Sequence, residues 1–166
     1  MSKHHKISLP APILPIDLKP VWLFLKVILV KVFPNGHLVD KEDDLLDAFT
    51  ENIDTNTILF IAAANYLKNN YVLLHLYGKG NNCLLIRGAM TEIMDLLSPG
   101  NFIQIHDSCI INKNFAVSIC PHYEINLLNF ELPLPIGRIY SDKVDKLLFP
   151  NCTYHYGKNC PNKKVL

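Results

Sequence analysis

The chain has 166 residues, 49% of them hydrophobic, which suits one compact domain with a sizeable core and additional segments at its ends. Lys and Arg total 16 against 15 Asp and Glu. This near-neutral balance excludes a strongly basic protein and argues against indiscriminate nucleic-acid binding, so any cationic surface would have to be gathered on one face.

The first 54 residues predict two different segments. Residues 1–20 contain four prolines, which fix φ and remove backbone donors, so an irregular N-terminal arm is expected. Residues 21–33 are rich in β-branched side chains and precede Pro34-Asn35-Gly36, which favours a buried strand and is too short to cross a membrane. Residues 41–53 place four apolar side chains on one helical face, so residues 21–54 are interpreted as a strand–helix extension. An acidic solvated loop is the alternative for the helix.

A series of short strands is predicted between residues 58 and 134, separated by turn residues such as Gly78, Gly80 and Gly100. The predicted strands are Ile58–Ala63, Tyr71–Tyr77, Cys83–Arg87, Phe102–Ile105, Cys109–Ile111, Phe115–Ile119, Glu124–Leu128 and Glu131–Leu134. Two amphipathic helices are expected, one over 90–97 and one that begins at the N-cap candidate Ser141. The pattern predicts a mainly β fold with two short helices.

Residues 151–166 form a basic C-terminal tail with three lysines and no acidic residue. The five cysteines are odd in number and irregularly spaced, which favours reduced thiols and a cytoplasmic location. Cys152, His155 and Cys160, with Cys120 and His122 nearby, have side chains that suit zinc. Their spacing is not a usual structural zinc pattern, so neither a metal nor another cofactor is predicted.

Two motifs carry a family resemblance. Residues 102–115 read Phe-Ile-Gln-Ile-His-Asp-Ser-Cys-Ile-Ile-Asn-Lys-Asn-Phe, and residues 134–140 read Leu-Pro-Ile-Gly-Arg-Ile-Tyr. Together with the strand and helix order, they resemble the LytTR family, whose markers are His-Arg-Ser, two hydrophobic residues and Asn, followed further along by Leu-Pro-Val-Ser-Arg. The resemblance covers residues 55–150.

The resemblance implies an elongated stack of three small antiparallel sheets that binds double-stranded promoter DNA through loops in successive major grooves. It implies that His106 and Ser108 orient the first motif, that Arg138 reads a base, and that Asn69 and Asn70 lie in a contacting loop. Further side chains suited to positioning on phosphate are those of Lys113, Asn114, Tyr140 and Lys143.

Two residues depart from the family pattern. Asp107 stands where the family commonly has Arg or Asn, and a carboxylate facing phosphate repels it. Gly137 replaces the usual Ser and drops a hydroxyl donor. Structural interpretations of three site residues stay open as well. Arg138 could form a salt bridge to Asp142. His106 and Asn112 could be buried groups satisfied by backbone partners, and for these two residues the structural interpretation is favoured.

The leading hypothesis is a cytoplasmic, bacterial, sequence-specific transcriptional regulator without a receiver domain, bound as a dimer or as paired copies on repeated DNA sites. The alternative is a LytTR-like interaction or dimerisation module that pairs through residues 21–33. No nucleophile–base pair, carboxylate pair or phosphate-binding glycine loop stands out in the sequence, so no catalytic residue, enzyme activity, small-molecule substrate or membrane partner is predicted.

Overall fold

The computed structural model describes residues 7–9, 11–14, 18–32, 37–39, 48–67, 70–97, 100–120 and 122–148. Its strands are β1 (Ile7–Ser8), β2 (Trp22–Lys31), β3 (Phe49–Asp54), β4 (Ile58–Ala63), β5 (Tyr71–Leu76), β6 (Asn82–Arg87), β7 (Phe102–His106), β8 (Cys109–Asn112), β9 (Ala116–Cys120), β10 (Glu124–Leu127) and β11 (Leu134–Pro135). Its α-helices are α1 (Met90–Leu96) and α2 (Ser141–Leu148). None of the helices within these residues combines the length and apolar character that crossing a bilayer requires.

The larger sheet has seven strands in the order β3-β2-β6-β5-β4-β8-β7, and all neighbours run antiparallel. Each of its central strands β4, β5 and β6 contains four consecutive buried residues. Such runs replace the usual alternation because both faces of these strands are covered. The packing includes α1, which contributes Ile93 to a core shared with β4, β5 and β6.

The smaller sheet has the order β1-β9-β10-β11. Ile119 and Ile125 of this sheet pack with Ile105 and Ile111 of the larger sheet in one core, and Val144 of α2 joins them. All five side chains are almost fully buried. This shared core therefore holds α2 and the segment before it against the end of the larger sheet.

The predicted fold class is confirmed: the chain is mainly β, its sheets are antiparallel, and it has two short α-helices. Hydrogen bonding joins the described strands into two sheets, whereas the resemblance implied three. The predicted strand Glu131–Leu134 is wrong for its first three residues, since the observed strand is Leu134–Pro135. Pro133 has no N–H to donate to a ladder, which explains why pairing does not extend backwards.

The helix predicted over residues 41–53 is wrong where the structure describes it. Residues 49–54 form β3, which pairs along the first six residues of β2 with Leu23 opposite Ile53. The apolar spacing also fits a strand, because Phe49 and Ile53 lie an even number of residues apart. Cross-strand pairing with β2 therefore decides the conformation. Residues 41–47 of this prediction lie outside the described residues.

The N-terminal arm is not wholly irregular. Ile7 and Ser8 pair with Ile119 and Ser118 of β9, and the Leu9 N–H donates to the Val117 carbonyl oxygen at 2.8 Å. Sequence reasoning missed this strand because the prolines that follow Leu9 dominate the local pattern. The arm is thus anchored to the smaller sheet.

The predicted strand over residues 21–33 is confirmed for Trp22–Lys31, which form β2, but it is not buried on both faces; residue 33 lies outside the described residues. Trp22 and Phe24 are 54% and 74% exposed, whereas Val27 and Val30 are buried. The first six residues of β2 pair with β3 and its last four with β6, so β2 lies partly beyond the covered centre of the sheet. By pairing with both β3 and β6, β2 connects β3 to the rest of the larger sheet.

His75 is a buried imidazole in β5. Its ring stacks on Phe60 with centroids 3.9 Å apart, and its Nδ1 lies 3.2 Å from the Cys83 Sγ. Burial lowers the pKa of His75 from 6.5 to about 4, because the charged ring loses its hydration. Burial likewise raises the pKa of the Cys83 and Cys109 thiols to about 12. Both thiols therefore remain protonated at neutral pH, which makes them poor nucleophiles.

We expect the buried His75 to make the fold acid-sensitive. Below pH 6.5 His75 is protonated in the unfolded chain, whereas in the folded chain it takes up a proton only near pH 4. The free energy of unfolding therefore falls as the pH drops through this window. The expected loss in free energy of unfolding between pH 7 and pH 5 is about 2 kcal/mol. Urea unfolding of wild type and His75→Phe at both pH values measures it. An equal pH dependence in the two proteins would contradict this origin.

Candidate functional site

Several turns meet at one end of the larger sheet because its strands are antiparallel. β4, β6 and β7 end there, and β5 and β8 begin there. The Ala63 N–H donates to the Ser108 carbonyl oxygen at 2.9 Å, and the Gly88 N–H donates to the Asn70 carbonyl oxygen at 2.9 Å. We call this end the loop edge; it comprises the described residues of 64–70, 87–89, 106–108 and 137–140.

The first motif forms the turn between β7 and β8. The Ser108 N–H donates to His106 Nδ1 at 3.2 Å, and the Ser108 hydroxyl lies 2.8 Å from the same atom, within hydrogen-bond distance. These two bonds fix the turn and leave Asp107 exposed at its tip.

The second motif docks on the strand that leads into the first. The Gly137 N–H donates to the Ile105 carbonyl oxygen at 2.7 Å. Residues Arg138–Tyr140 then form one 3₁₀ turn that continues directly into α2. Ser141 is not the N-cap that the sequence suggested: it has α-helical φ and ψ, and its hydroxyl donates to the Arg138 carbonyl oxygen at 2.9 Å.

The two residues that depart from the family pattern lie on either side of one tyrosine. The Tyr140 hydroxyl donates to Asp107 Oδ1 at 2.7 Å. A Cβ at Gly137 would lie 3.0 Å from Tyr140 Cδ2 and 3.2 Å from His106 Cδ2. Gly137 has φ −64°, which any residue adopts, so the close approach of the two rings, and not the backbone conformation, is what favours glycine here.

Exposed cations lie at the loop edge and directly after it. Arg138 is exposed, and no ion pair joins it to Asp142 or to any other residue that the structure describes. Lys143 is exposed in the first turn of α2. Arg87, which sequence reasoning missed, is exposed at the end of β6 opposite Tyr71. Its sequence signal is a lone cation between a buried strand and Gly88.

The structure does not bring Lys113 and Asn114 to the loop edge. They follow the other end of β8, four residues away, which places them about 13 Å from it. Asn112 is fully buried there: its Nδ2 donates to the Ile58 carbonyl oxygen, and its Oδ1 accepts from the Asn114 N–H. Its predicted role as a buried group satisfied by backbone partners is confirmed.

The remaining candidates are only partly described. Asn70 is exposed at the loop edge, whereas Asn69 lies outside the described residues. The tail residues Cys152, His155 and Cys160 also lie outside them. Within the part of the chain that the structure describes, no three His, Cys, Asp or Glu side chains are grouped as metal ligands.

Comparisons with known proteins agree on one family. The family model described as LytTr DNA-binding domain matches residues 50–149. The chain belongs to this family. A solved LytTr DNA-binding domain from Bacillus cereus is similar to it, with 18% identity, a TM-score of 0.49, and coverage of 75% of this chain and 97% of that one. A comparison with curated proteins returned no match. The LytTr match begins within β3, so it includes residues 50–54, which precede the domain boundary expected from the sequence.

We expect Asp107 to control the ionisation of Tyr140. The pKa of Tyr140 is raised, first because ionisation would break the hydrogen bond to Asp107, and also because of desolvation and the carboxylate charge. In Asp107→Ala the Tyr140 pKa should fall towards 10.0, which a pH titration of the ring carbon resonances would detect. Asp142→Ala, a carboxylate removal nearby on α2, should leave it unchanged. The same Tyr140 pKa in Asp107→Ala and wild type would contradict the contact.

Proposed function

We propose that this LytTr-family chain is a sequence-specific DNA-binding transcriptional regulator whose loop edge enters the major groove. The observation that carries the proposal is the docking of the second motif on the first, which presents Arg138 beside the His106–Ser108 turn. In this proposal the chain is a cytoplasmic protein that acts by binding DNA and not by catalysis. It binds repeated sites as a dimer or as paired copies. Residues 55–150 supply the DNA-binding unit, and the basic tail adds contacts to phosphate.

Arg138 is proposed to read a guanine. Its guanidinium can donate two parallel hydrogen bonds to guanine O6 and N7, the commonest specific contact in the major groove. The 3₁₀ turn that carries it is held by backbone bonds from Gly137 to Ile105 and from Tyr140 to Gly137. A guanidinium on such an anchored turn loses less conformational freedom on binding than one on a loose loop.

Arg87, Lys143 and Asn70 are proposed to position the duplex through its phosphates. All three are exposed; Arg87 and Asn70 lie at the loop edge, and Lys143 lies in the turn of α2 that follows it. Such contacts set register and affinity without reading sequence. His106 and Ser108 support the turn through their mutual hydrogen bonds. Lys113 and Asn114 would reach DNA only on a duplex that extends past the opposite end of β8.

The second candidate function is a protein-interaction or dimerisation module, and the exposed side chains of Trp22 and Phe24 favour it. These residues lie two apart on β2, so they share one face of the strand. Exposed aromatic side chains of this size are enriched at protein interfaces. If this is the sole function, sedimentation should show a dimer that Trp22→Ser with Phe24→Ser dissociates, while wild type binds no duplex at any salt concentration.

Arg138→Ala should remove the preference for one base pair from the motif that wild type enriches from a pool of random duplexes. The expected loss is about 1–3 kcal/mol of discrimination at one base pair, because the bidentate contact disappears. Lys79→Ala is the matched control, since Lys79 is an exposed cation in the turn between β5 and β6, at the opposite end of the sheet. An unchanged motif in Arg138→Ala would refute the assignment of Arg138.

Arg87→Ala should weaken binding to all sequences alike. Removing a phosphate contact lowers affinity without changing the enriched motif, and it should reduce the slope of log affinity against log salt concentration by about 1. Salt titration of the selected duplex with wild type and Arg87→Ala measures this. A change of motif with an unaltered salt slope would contradict the phosphate role.

A further inference from the structure

Asp107 is an exposed carboxylate in the middle of the proposed DNA-facing surface. It occupies the tip of the β7–β8 turn, beside the turn that carries Arg138. Its Oδ1 accepts the hydrogen bond of the Tyr140 hydroxyl, a donor that brings no positive charge to the carboxylate. The bond restricts the orientation of the side chain, and Oδ2 stays available to a further donor.

We propose that Asp107 is a specificity-determining residue that accepts a hydrogen bond from the exocyclic amino group of a cytosine in the major groove, and that Tyr140 is its positioning residue. This inference rests on the proposed DNA-binding function and names a base that the loop edge selects.

The chemistry of a carboxylate limits what it can face on DNA. An ionised carboxylate accepts hydrogen bonds and donates none, so phosphate oxygens and the O6, N7 and O4 acceptors of guanine and thymine repel it. Cytosine presents its N4 amino group as a donor in the major groove. Adenine also presents an amino group, but its neighbouring N7 is an acceptor and disfavours an anion. Cytosine is therefore the base whose major-groove edge is most favourable for a hydrogen bond to an oriented carboxylate.

The close packing around Gly137 explains how Tyr140 reaches and orients the Asp107 carboxylate. Gly137 has no Cβ, and an added Cβ would lie 3.0 Å from Tyr140 Cδ2, so the ring can lie against the backbone and reach Asp107. The Gly137 N–H is bonded to Ile105, which fixes the distance between the two turns. Tyr140 is thus held between a close backbone contact and the carboxylate that it orients.

The test compares the motifs that wild type, Asp107→Asn, Asp107→Ala and Asp142→Asn enrich from random duplexes. An Asn side chain can accept from N6 and donate to N7 of adenine, so Asp107→Asn should change one position of the motif from cytosine to adenine. Asp107→Ala should lose roughly tenfold discrimination at that position. Asp142→Asn removes an exposed carboxylate of α2 by the same chemical change and should leave the motif unaltered.

Tyr140→Phe and Gly137→Ser test the positioning role. Tyr140→Phe keeps the ring and removes the hydroxyl, so affinity for the cytosine duplex should fall severalfold while affinity for duplexes with another base at that position changes much less. Gly137→Ser should have the same effect on discrimination, because its Cβ displaces the Tyr140 ring. Unaltered discrimination in Tyr140→Phe would overturn the role assigned to Tyr140.

The outcomes separate this inference from the function on which it rests. A cytosine that becomes adenine in Asp107→Asn supports it. A wild-type motif that persists unchanged in Asp107→Asn and Asp107→Ala overturns it, while the DNA-binding function stands. Wild type that enriches no duplex, with each variant still folded by circular dichroism, overturns both.

Discussion

The hydrogen bond from the Gly137 N–H to the Ile105 carbonyl oxygen is the contact on which the site depends. It joins two residues that lie some thirty positions apart in the sequence, with β8, β9, β10 and β11 between them along the chain. It sets the distance between the turn that carries Arg138 and the His106–Ser108 turn at the backbone level. The core of Ile105, Ile136 and Val144 supports the contact from beneath, because it buries the residues on both sides of the junction.

Local pattern was enough to predict most of the strands. β4 has the predicted bounds, and β5, β6, β8 and α1 differ from theirs by one residue at an end, because each couples a buried apolar run to a clear turn signal. The predictions that failed concern β1 and β3, whose conformation depends on pairing with strands distant in the sequence. β3 exists because β2 lies beside it, and β1 exists because β9 does. Single-sequence periodicity contains no information about either pairing.

The motifs predicted which residues belong to the candidate site, but not how the fold arranges them. His106, Ser108, Arg138 and Asn70 do meet at one end of the sheet, whereas Lys113 lies at the other end although it is close to His106 in sequence. A four-residue strand is enough to separate them. Arg87 lies at the loop edge because β6 ends beside the start of β5, which no motif records. The interpretation of Asp107 as a repulsive substitution also omitted Tyr140, whose reach to the carboxylate depends on the tertiary fold.

The two sheets differ in how their edges are protected. Both edge strands of the smaller sheet, β1 and β11, have only two residues, and β11 ends in a proline that cannot donate. Such short edges offer little template for another chain. In the larger sheet β7 is partly capped by the Gly137 N–H, whereas β3 is a six-residue edge strand. Among the described strands, β3 is therefore where a destabilised or concentrated protein would most readily recruit a strand from another copy, so aggregation should begin at the end of the sheet farthest from β7.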